Sequence, residues 1–549
     1  MANSLTKIVA DPRMLAMQSI DADEEGSRRT SQVRKTKLIC TIGPSCCDRE
    51  TLFELIKAGM NVARLNMSHG DHAWHKGVIQ TVRDINAECG YSVAVMVDTE
   101  GGSEVHLKGL SELVNVAEDA DVVLSIREPQ NGDGSAIHIQ VSFEGFSRDC
   151  KPGDTILVDG GMSTLRVDAV RGPDVICKVV DSGIILPRAS VTIRRGGELM
   201  RSTDAFLPVL GAKDWNDIDM AIENKVDFIA VSFVRDKDVL ENLRSYIASK
   251  TTRSISIVSK IESYESLGNL TGIIGASDVV MIARGDLGAQ ISIPQVPREQ
   301  KRIVDACRSA GKAVIVASQL LESMHTLPTP TRAEVADISE AVRQGADAVM
   351  LSGETAIGLY PVRTLEVLRD VTTHAEMRLE SGWSVGSIRG AGRRSGGGTM
   401  NTRGSAEART SITKAICGAA SNLADNLGAR AIFSFTETGT TAFSLSRMRP
   451  NASIFAFTDT TDIRLQCSMW WGVVPFRLDF STDFETNIRR TISYCKDQGI
   501  VIRGDTIIVV SHMNHECGPG NQAEGGTRET RYDVNGNVLG NSVQVRVVD

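Results

Sequence analysis

From residue 35 onward the chain repeats one pattern: a short apolar run ends in polar residues or glycine, and a stretch with helical spacing of its apolar positions follows. The runs cover 38–43, 62–66, 93–99, 228–232, 255–262, 279–286, 313–319 and 348–354. Their Val, Ile, Leu and Ala residues follow one another without alternation, as in parallel strands buried on both faces. Segments 48–58, 296–309 and 333–344 predict helices between them. Eight strands alternating with helices predict an α/β fold, a (β/α)8 TIM barrel built from residues 35–105 and 203–380.

The interval between the third and fourth runs is too long for one crossover. Within it, 154–158, 163–170, 175–180 and 191–193 read as short strands separated by Gly-Asp, Gly-Gly and Gly-Pro turn signals. Residues 106–202 are therefore expected to form an inserted all-β lid domain, a small β-barrel. Residues 1–34 show no sustained apolar pattern and predict a flexible arm, and the GSIRGAGRRSGGG stretch at 386–398 predicts a Gly/Arg-rich linker over 381–404. Beyond it, a helix over 411–426 and strands over 431–435, 454–457, 506–510 and 543–548 predict a C-terminal α/β regulatory domain, 405–549, with a long loop at 518–541.

Composition narrows the class. At 549 residues the chain exceeds a single core, and 42% hydrophobic with 23% charged residues is ordinary for a globular protein. A net charge of -8 argues against a nucleic-acid binder. No apolar run approaches the ~20 residues that span a bilayer, and the first residues lack the apolar core of a secretory signal. Lys7 and Arg13, with Asp11 the one early acid, leave a transit peptide open, against the acidic cluster at 21–25. Eleven scattered cysteines without zinc-type spacing fit a reducing intracellular compartment, cytoplasm or plastid stroma. The His69, His72, His75 series and the His512, His515, Cys517 group lack a fourth spaced ligand, and Cys46-Cys47 reads as two ordinary thiols. There is no GxxxxGK[ST] loop.

A barrel presents its chemistry at the C-terminal ends of its strands. Those ends gather cations (Arg64, Lys260, Arg284), carboxylates (Asp98, Glu262, Asp286, Glu354) and hydroxyls (Ser68, Thr99, Ser232, Ser318, Ser352). This mixture suits an anionic, phosphorylated substrate held by cations and a metal. Lys260 and Glu262, two apart in a strand, leave the same face, which fits either a plain salt bridge or metal-plus-substrate chemistry. Gly285 lets backbone approach a ligand, and a helix start nearby would offer N–H groups to an anion.

The segments GMNVARLNMSHG (59–70), SKIES (259–263), MIARGDLGAQI (281–291), ASQLLESM (317–324), PTRAEVAD (330–337) and MLSGETA (350–356) resemble the pyruvate kinase family in sequence and order. MVDTEG, VDGGM and FAFTDTTD are most similar to the plastid-type α subunits of plants and algae. The resemblance implies the last step of glycolysis, transfer of the phosphoryl group of phosphoenolpyruvate to ADP. It implies Lys260, Arg64 and Ser318 as catalytic residues, with Gly285 and Asp286 also on the substrate. Glu262 and Asp286 would ligate Mg2+ or Mn2+, and Asn66, Ser68, Asp98 and Thr99 would ligate K+, with Glu104 linked to the K+ requirement. Asn66, His69, Lys213 and His106 would lie on the nucleotide side, in a homo- or hetero-tetramer. Two other readings stay open: a catalytically weak structural or regulatory subunit, and a metal-dependent TIM-barrel lyase acting on an oxo acid.

The chain departs from the family pattern in places. Most relatives read DTKGPEIR where residues 98–106 read DTEGGSEVH, so His106 replaces an arginine and one glycine is extra. Histidine cannot grip a phosphate bidentately, which predicts weaker ADP binding. Ser318 replaces threonine and keeps the hydroxyl without the methyl that restricts its rotamers. In the C-terminal TETGTT segment, 436–441, Glu437 stands where lysine is frequent, which predicts no activation by a sugar bisphosphate.

Overall fold

The eight apolar runs fold as strands of a computed structural model: β1 (Lys37–Thr41), β2 (Val62–Asn66), β3 (Ala94–Asp98), β4 (Phe228–Val231), β5 (Ser256–Ile261), β6 (Val279–Ala283), β7 (Ala313–Ala317) and β8 (Ala348–Leu351). The structure describes residues 8–12, 33–101, 105–110, 113–128, 136–158, 163–185, 189, 191–196, 198–200, 208–380, 406–481, 483–512 and 542–549. The eight strands hydrogen-bond in the closed order β1-β8-β7-β6-β5-β4-β3-β2. Almost every residue of these strands is buried, which is why the runs show no alternation.

Local signals start and stop the helices. Asp48 caps α1 (Arg49–Ala58) by accepting from Thr51 N, and Gly59, at φ +124°, ends it. α2 (His72–Cys89) follows β2, and α3 (Ala212–Glu223) precedes β4. Asp236 caps α4 (Lys237–Lys250). The strand reading of 279–286 is corrected: β6 stops at Ala283, and Arg284 opens a short helix, α5 (Arg284–Gln290), ahead of α6 (Val296–Ala310). α7 (Arg332–Gln344) begins with a capping box in which Thr331 and Glu334 exchange hydrogen bonds. Glu334 also accepts from Ser323 N and Oγ, so part of the PTRAEVAD segment is helix-start architecture.

The chain divides into two units: 1–65 with 73–96 and 320–549, and 66–72 with 97–319. The second holds the insertion, where strands Leu107–Lys108, Asp121–Ser125, Ile137–Val141, Thr155–Val158, Ser163–Arg171, Asp174–Asp181, Val191–Arg195 and Glu198–Leu199 make one sheet. Leu107 N donates to Ala189 O at 2.9 Å and Val191 N to Val105 O at 2.8 Å, so the sheet curls back on itself around an aliphatic core.

The first unit holds the C-terminal sheet. Its order is β11 (Val473–Arg477), β10 (Ser453–Thr458), β9 (Ala431–Thr436), β12 (Thr506–His512) and β13 (Ser542–Val547), with β13 antiparallel. β11 was not foreseen, because Pro475 interrupts it; it is an edge strand, where a missing N–H is tolerated. The first-unit residues 8–11, expected in a flexible arm, are held: Val9 exchanges backbone bonds with Arg477, and Asp11 accepts from Ser92 Oγ at 2.9 Å. The proposed linker 381–404, the loop at 518–541, Glu104, His515 and Cys517 lie outside the described residues.

Candidate active site

In the second unit, the ends of β3, β4 and β5 bring four functional side chains together. Lys260 Nζ donates to Ser232 Oγ at 2.7 Å and lies 2.8 Å from Glu262 Oε1 and 3.3 Å from Asp98 Oδ1. Ser232 Oγ donates to Thr99 O at 2.6 Å, and Phe233 N donates to Glu262 Oε2 at 2.6 Å. Asp98 and Glu262 are fully buried, and Lys260 nearly so. The salt bridge that the Lys260–Glu262 spacing allowed is therefore formed.

That bridge leaves capacity for a metal. Glu262 Oε1 is buried beside the Lys260 ammonium, and a carboxylate oxygen has lone pairs for more than one partner. Burial pushes the Glu262 carboxyl up to about 7; the Lys260 charge opposes this and the Asp286 charge adds to it. A buried carboxylate facing a second carboxylate is a site that a divalent cation relieves of repulsion. Asp286 sits in the first turn of α5, not at a strand end. Glu262 and Asp286 thus fit an oxygen-ligated Mg2+ or Mn2+.

The residues that the resemblance implies for a monovalent cation lie on the loops after β2 and β3. Asn66 Oδ1 accepts from Ser68 N at 3.1 Å, forming a tight turn after β2, and Met67 N donates to Asp98 O at 2.9 Å. Asn66, Ser68, Asp98 and the Thr99 carbonyl supply an all-oxygen donor set from two joined loops, which suits K+.

Three rim residues need reassignment. Arg284, counted among the substrate cations, is buried and donates from NH2 to Ser318 O at 2.7 Å and Gln319 O at 3.2 Å, and from NH1 to Gln300 Oε1 at 3.3 Å. Ser318 and Gln319 adopt φ of +73° and +54°, conformations rare for such residues. Arg284 thus holds the turn that presents Ser318, a role invisible without the fold. Glu354, buried in the first unit, accepts from Ser352 N at 2.6 Å and Leu321 N at 3.3 Å, a backbone-bracing role. Ser232, seen in the sequence only as a strand-end residue, is the hub between Lys260 and Thr99.

Other predicted residues separate. Arg64, in the first unit, donates to Thr41 Oγ1 at 2.8 Å, and Thr41 Oγ1 donates to Leu351 O at 2.9 Å. Gly285 offers its backbone in the first turn of α5. Lys213, on α3, donates to Met67 O at 2.6 Å and Asp217 Oδ2 at 2.8 Å. His69 N donates to Asn66 O at 3.3 Å. His106 enters the lid sheet through two bonds to Ser142: its N–H donates to the Ser142 side-chain Oγ at 2.9 Å, and its carbonyl accepts from Ser142 N at 2.8 Å. The lid strand 191–195 reaches α5, where Arg194 NH2 donates to Ala289 O at 3.0 Å and Ile291 O at 3.3 Å.

Comparison with known proteins accords with this geometry. Residues 33–365 match the pyruvate kinase barrel domain, and 414–523 match the pyruvate kinase alpha/beta domain. The chain is 46% identical to pyruvate kinase isozyme A, chloroplastic, of Ricinus communis over 513 residues, covering 93% of this chain and 86% of that one. It is 34% identical to a pyruvate kinase of Staphylococcus saprophyticus over 482 residues, 87% of this chain and 78% of the other. The crystal structure of a pyruvate kinase from Cryptosporidium parvum superposes with a TM-score of 0.74 at 30% identity, over 94% of this chain and 96% of that one. With more than half of its residues matched to the family's barrel and a rim whose carboxylates and lysine meet as described, this chain belongs to the pyruvate kinase family.

Proposed function

We propose that this chain transfers the phosphoryl group of phosphoenolpyruvate to ADP at the Lys260 cluster, with Mg2+ or Mn2+ on Glu262 and Asp286 and K+ on Asn66, Ser68, Asp98 and Thr99. The observation that carries the reading is the buried Lys260 Nζ lying 2.8 Å from Glu262 Oε1 and 3.3 Å from Asp98 Oδ1 at the ends of the barrel strands. When bound, the divalent cation neutralises negative charge on substrate oxygens. The chain's own residues do the rest. Lys260 directs its ammonium at the phosphoryl group in transfer, and Arg64 holds that group's oxygens. The Gly285 N–H orients the substrate carboxylate. The Ser318 hydroxyl, held in its turn by Arg284, lies on the side from which the enolate of pyruvate takes its proton. Asn66, His69 and His106 line the nucleotide side. A lid anchored through Arg194 excludes water from the transfer.

We further propose an oligomer, homo- or hetero-tetrameric, working in the plastid. No helix of the described residues is long and apolar enough to cross a membrane. Two relatives of 46% and 48% identity carry chloroplastic names, which supports the compartment. A coupled assay of purified protein, following pyruvate with and without ADP, Mg2+ and K+, tests the activity. Turnover that needs all three establishes a self-sufficient kinase. A folded protein without turnover would instead be a subunit whose partner restores activity, and turnover without nucleotide would make it a lyase.

A further inference from the structure

Residues 8–11 join parts of the first unit that lie far apart along the chain. Val9 N donates to Arg477 O and Arg477 N to Val9 O, each at 3.0 Å. The segment thereby adds an antiparallel bridge to β11, the edge strand of the C-terminal sheet. Ala10 is buried, and with Ile8 it packs on the core of that sheet, which includes Phe455 and Phe476. Asp11 is buried as well, and its Oδ2 accepts from Ser92 N at 3.3 Å and from Ser92 Oγ at 2.9 Å.

The loop that Asp11 holds, 90–92, leads into β3. The C-terminal domain reaches the same loop directly: Arg464 NH2 donates to Gly90 O at 2.6 Å, and Ser468 Oγ donates to Ser92 O at 2.5 Å. Gly90 takes a φ of +79°, and a Cβ there would lie 3.5 Å from both Ala10 O and Val9 Cγ1. The segment 8–11, the C-terminal domain and the loop ahead of β3 therefore each touch the other two.

A bare edge strand exposes unpaired backbone groups, and a short added strand covers them. A buried carboxylate is costly without donors, so Asp11 and Ser92 hold each other in place. We infer that residues 8–11 are a strap, which caps the β11 edge at one end and locks the loop ahead of β3 at the other, so that the N-terminal segment ties the C-terminal domain to the barrel chain. Proteolytic trimming that passes Asp11 releases both ends of the strap, whereas trimming that stops before Ile8 leaves both in place. The start of the chain is thus a point at which cleavage controls how firmly the C-terminal domain is held.

The test reads amide hydrogen exchange by mass spectrometry in the full-length protein, in peptides spanning 473–477 and 90–93. Val9→Pro removes the donor to Arg477 O, and Asp11→Ala removes the acceptor for Ser92. Each variant should speed exchange at least about tenfold in both peptides, because one strap opens as a unit. Acceleration confined to the peptide beside the substitution would reduce the segment to two independent contacts and overturn the strap, as would wild-type exchange in both peptides. Shortened chains then separate the strap from the residues before it. A chain lacking residues 2–7 should exchange as wild type does, and one lacking residues 2–11 should lose protection in both peptides. Wild-type protection in the second chain, or lost protection in the first, overturns the trimming rule. If the chain lacking 2–11 does not fold, the full-length Val9→Pro and Asp11→Ala proteins decide the matter by themselves.

Discussion

The Lys260 cluster at the end of β5 and the Lys213 cluster on α3 each set one ammonium among three oxygens at similar distances. Lys260 has Ser232 Oγ, Glu262 and Asp98; Lys213 has Met67 O, Asp217 and Glu100. The side chain of Lys260 is 10% exposed, that of Lys213 51%. Burial makes the first cluster sensitive to every change of charge, whereas water screens the second. The partners differ as well. Glu262 and Asp98 belong to the proposed metal ligand sets, so a bound cation would share these carboxylates with the Lys260 ammonium. Met67 O is a fixed backbone carbonyl, and both Asp217 oxygens are engaged, one by Lys213 and one by His72. Two ammonium groups with similar contacts thus differ chiefly in burial and in what their oxygen partners are held by.

The largest effect should come from Lys260→Met: a loss of turnover of at least about 10³-fold, with circular dichroism unchanged, because the preorganised charge facing the transfer is gone. Retention of a tenth of the activity would erase the contrast between the two lysines. Glu262→Gln should cost about 10²- to 10³-fold in kcat and weaken Mn2+ binding, read by electron paramagnetic resonance.

The Glu262 carboxyl also gives the buried cluster a pH dependence that the exposed one lacks. Its folded-state value of about 7 lies above that of an unfolded glutamate, about 4.3. Its protonated form therefore favours the folded metal-free protein at low pH, and that stabilisation is lost as pH rises through about 7. Divalent metal competes with the same proton, so Mn2+ affinity should rise by up to about tenfold per pH unit below that value and level off above it. A flat profile between pH 5.5 and about 8 would place another group on the metal.

Arg284→Ala should raise KM for phosphoenolpyruvate by about tenfold and lower the melting temperature, since it leaves Ser318 and Gln319 in unsupported left-handed backbone. The smallest effect belongs to the nucleotide side. His106→Arg should lower KM for ADP by about three- to tenfold, and an unchanged KM would remove His106 from that site.

Much of the fold was legible because a barrel strand is buried on both faces and writes a continuous apolar run. The same logic failed at β11, where Pro475 hides an edge strand, and at β6, where the apolar run stops at Ala283 and a helix takes over. Within the site, the spacing of Lys260 and Glu262 did predict their meeting. Arg284 and Glu354 misled because a charge at a strand end reads the same whether it faces a ligand or braces backbone. The fixed segment at residues 8–11 was not legible at all, since four residues that meet Arg477 on β11 and Ser92 ahead of β3 leave no periodicity.

By itself the sequence determined the eight buried strands, the insertion between the third and fourth and the family, because each rests on local patterns or ordered motifs. Apart from the Lys260–Glu262 pair, only the tertiary structure decided which charges meet. Lys213, Glu100 and Met67 lie far apart along the chain, and the distances at which their atoms stop are set by packing around them. Electrostatic role depends on those distances and on burial, and neither is written in the order of residues.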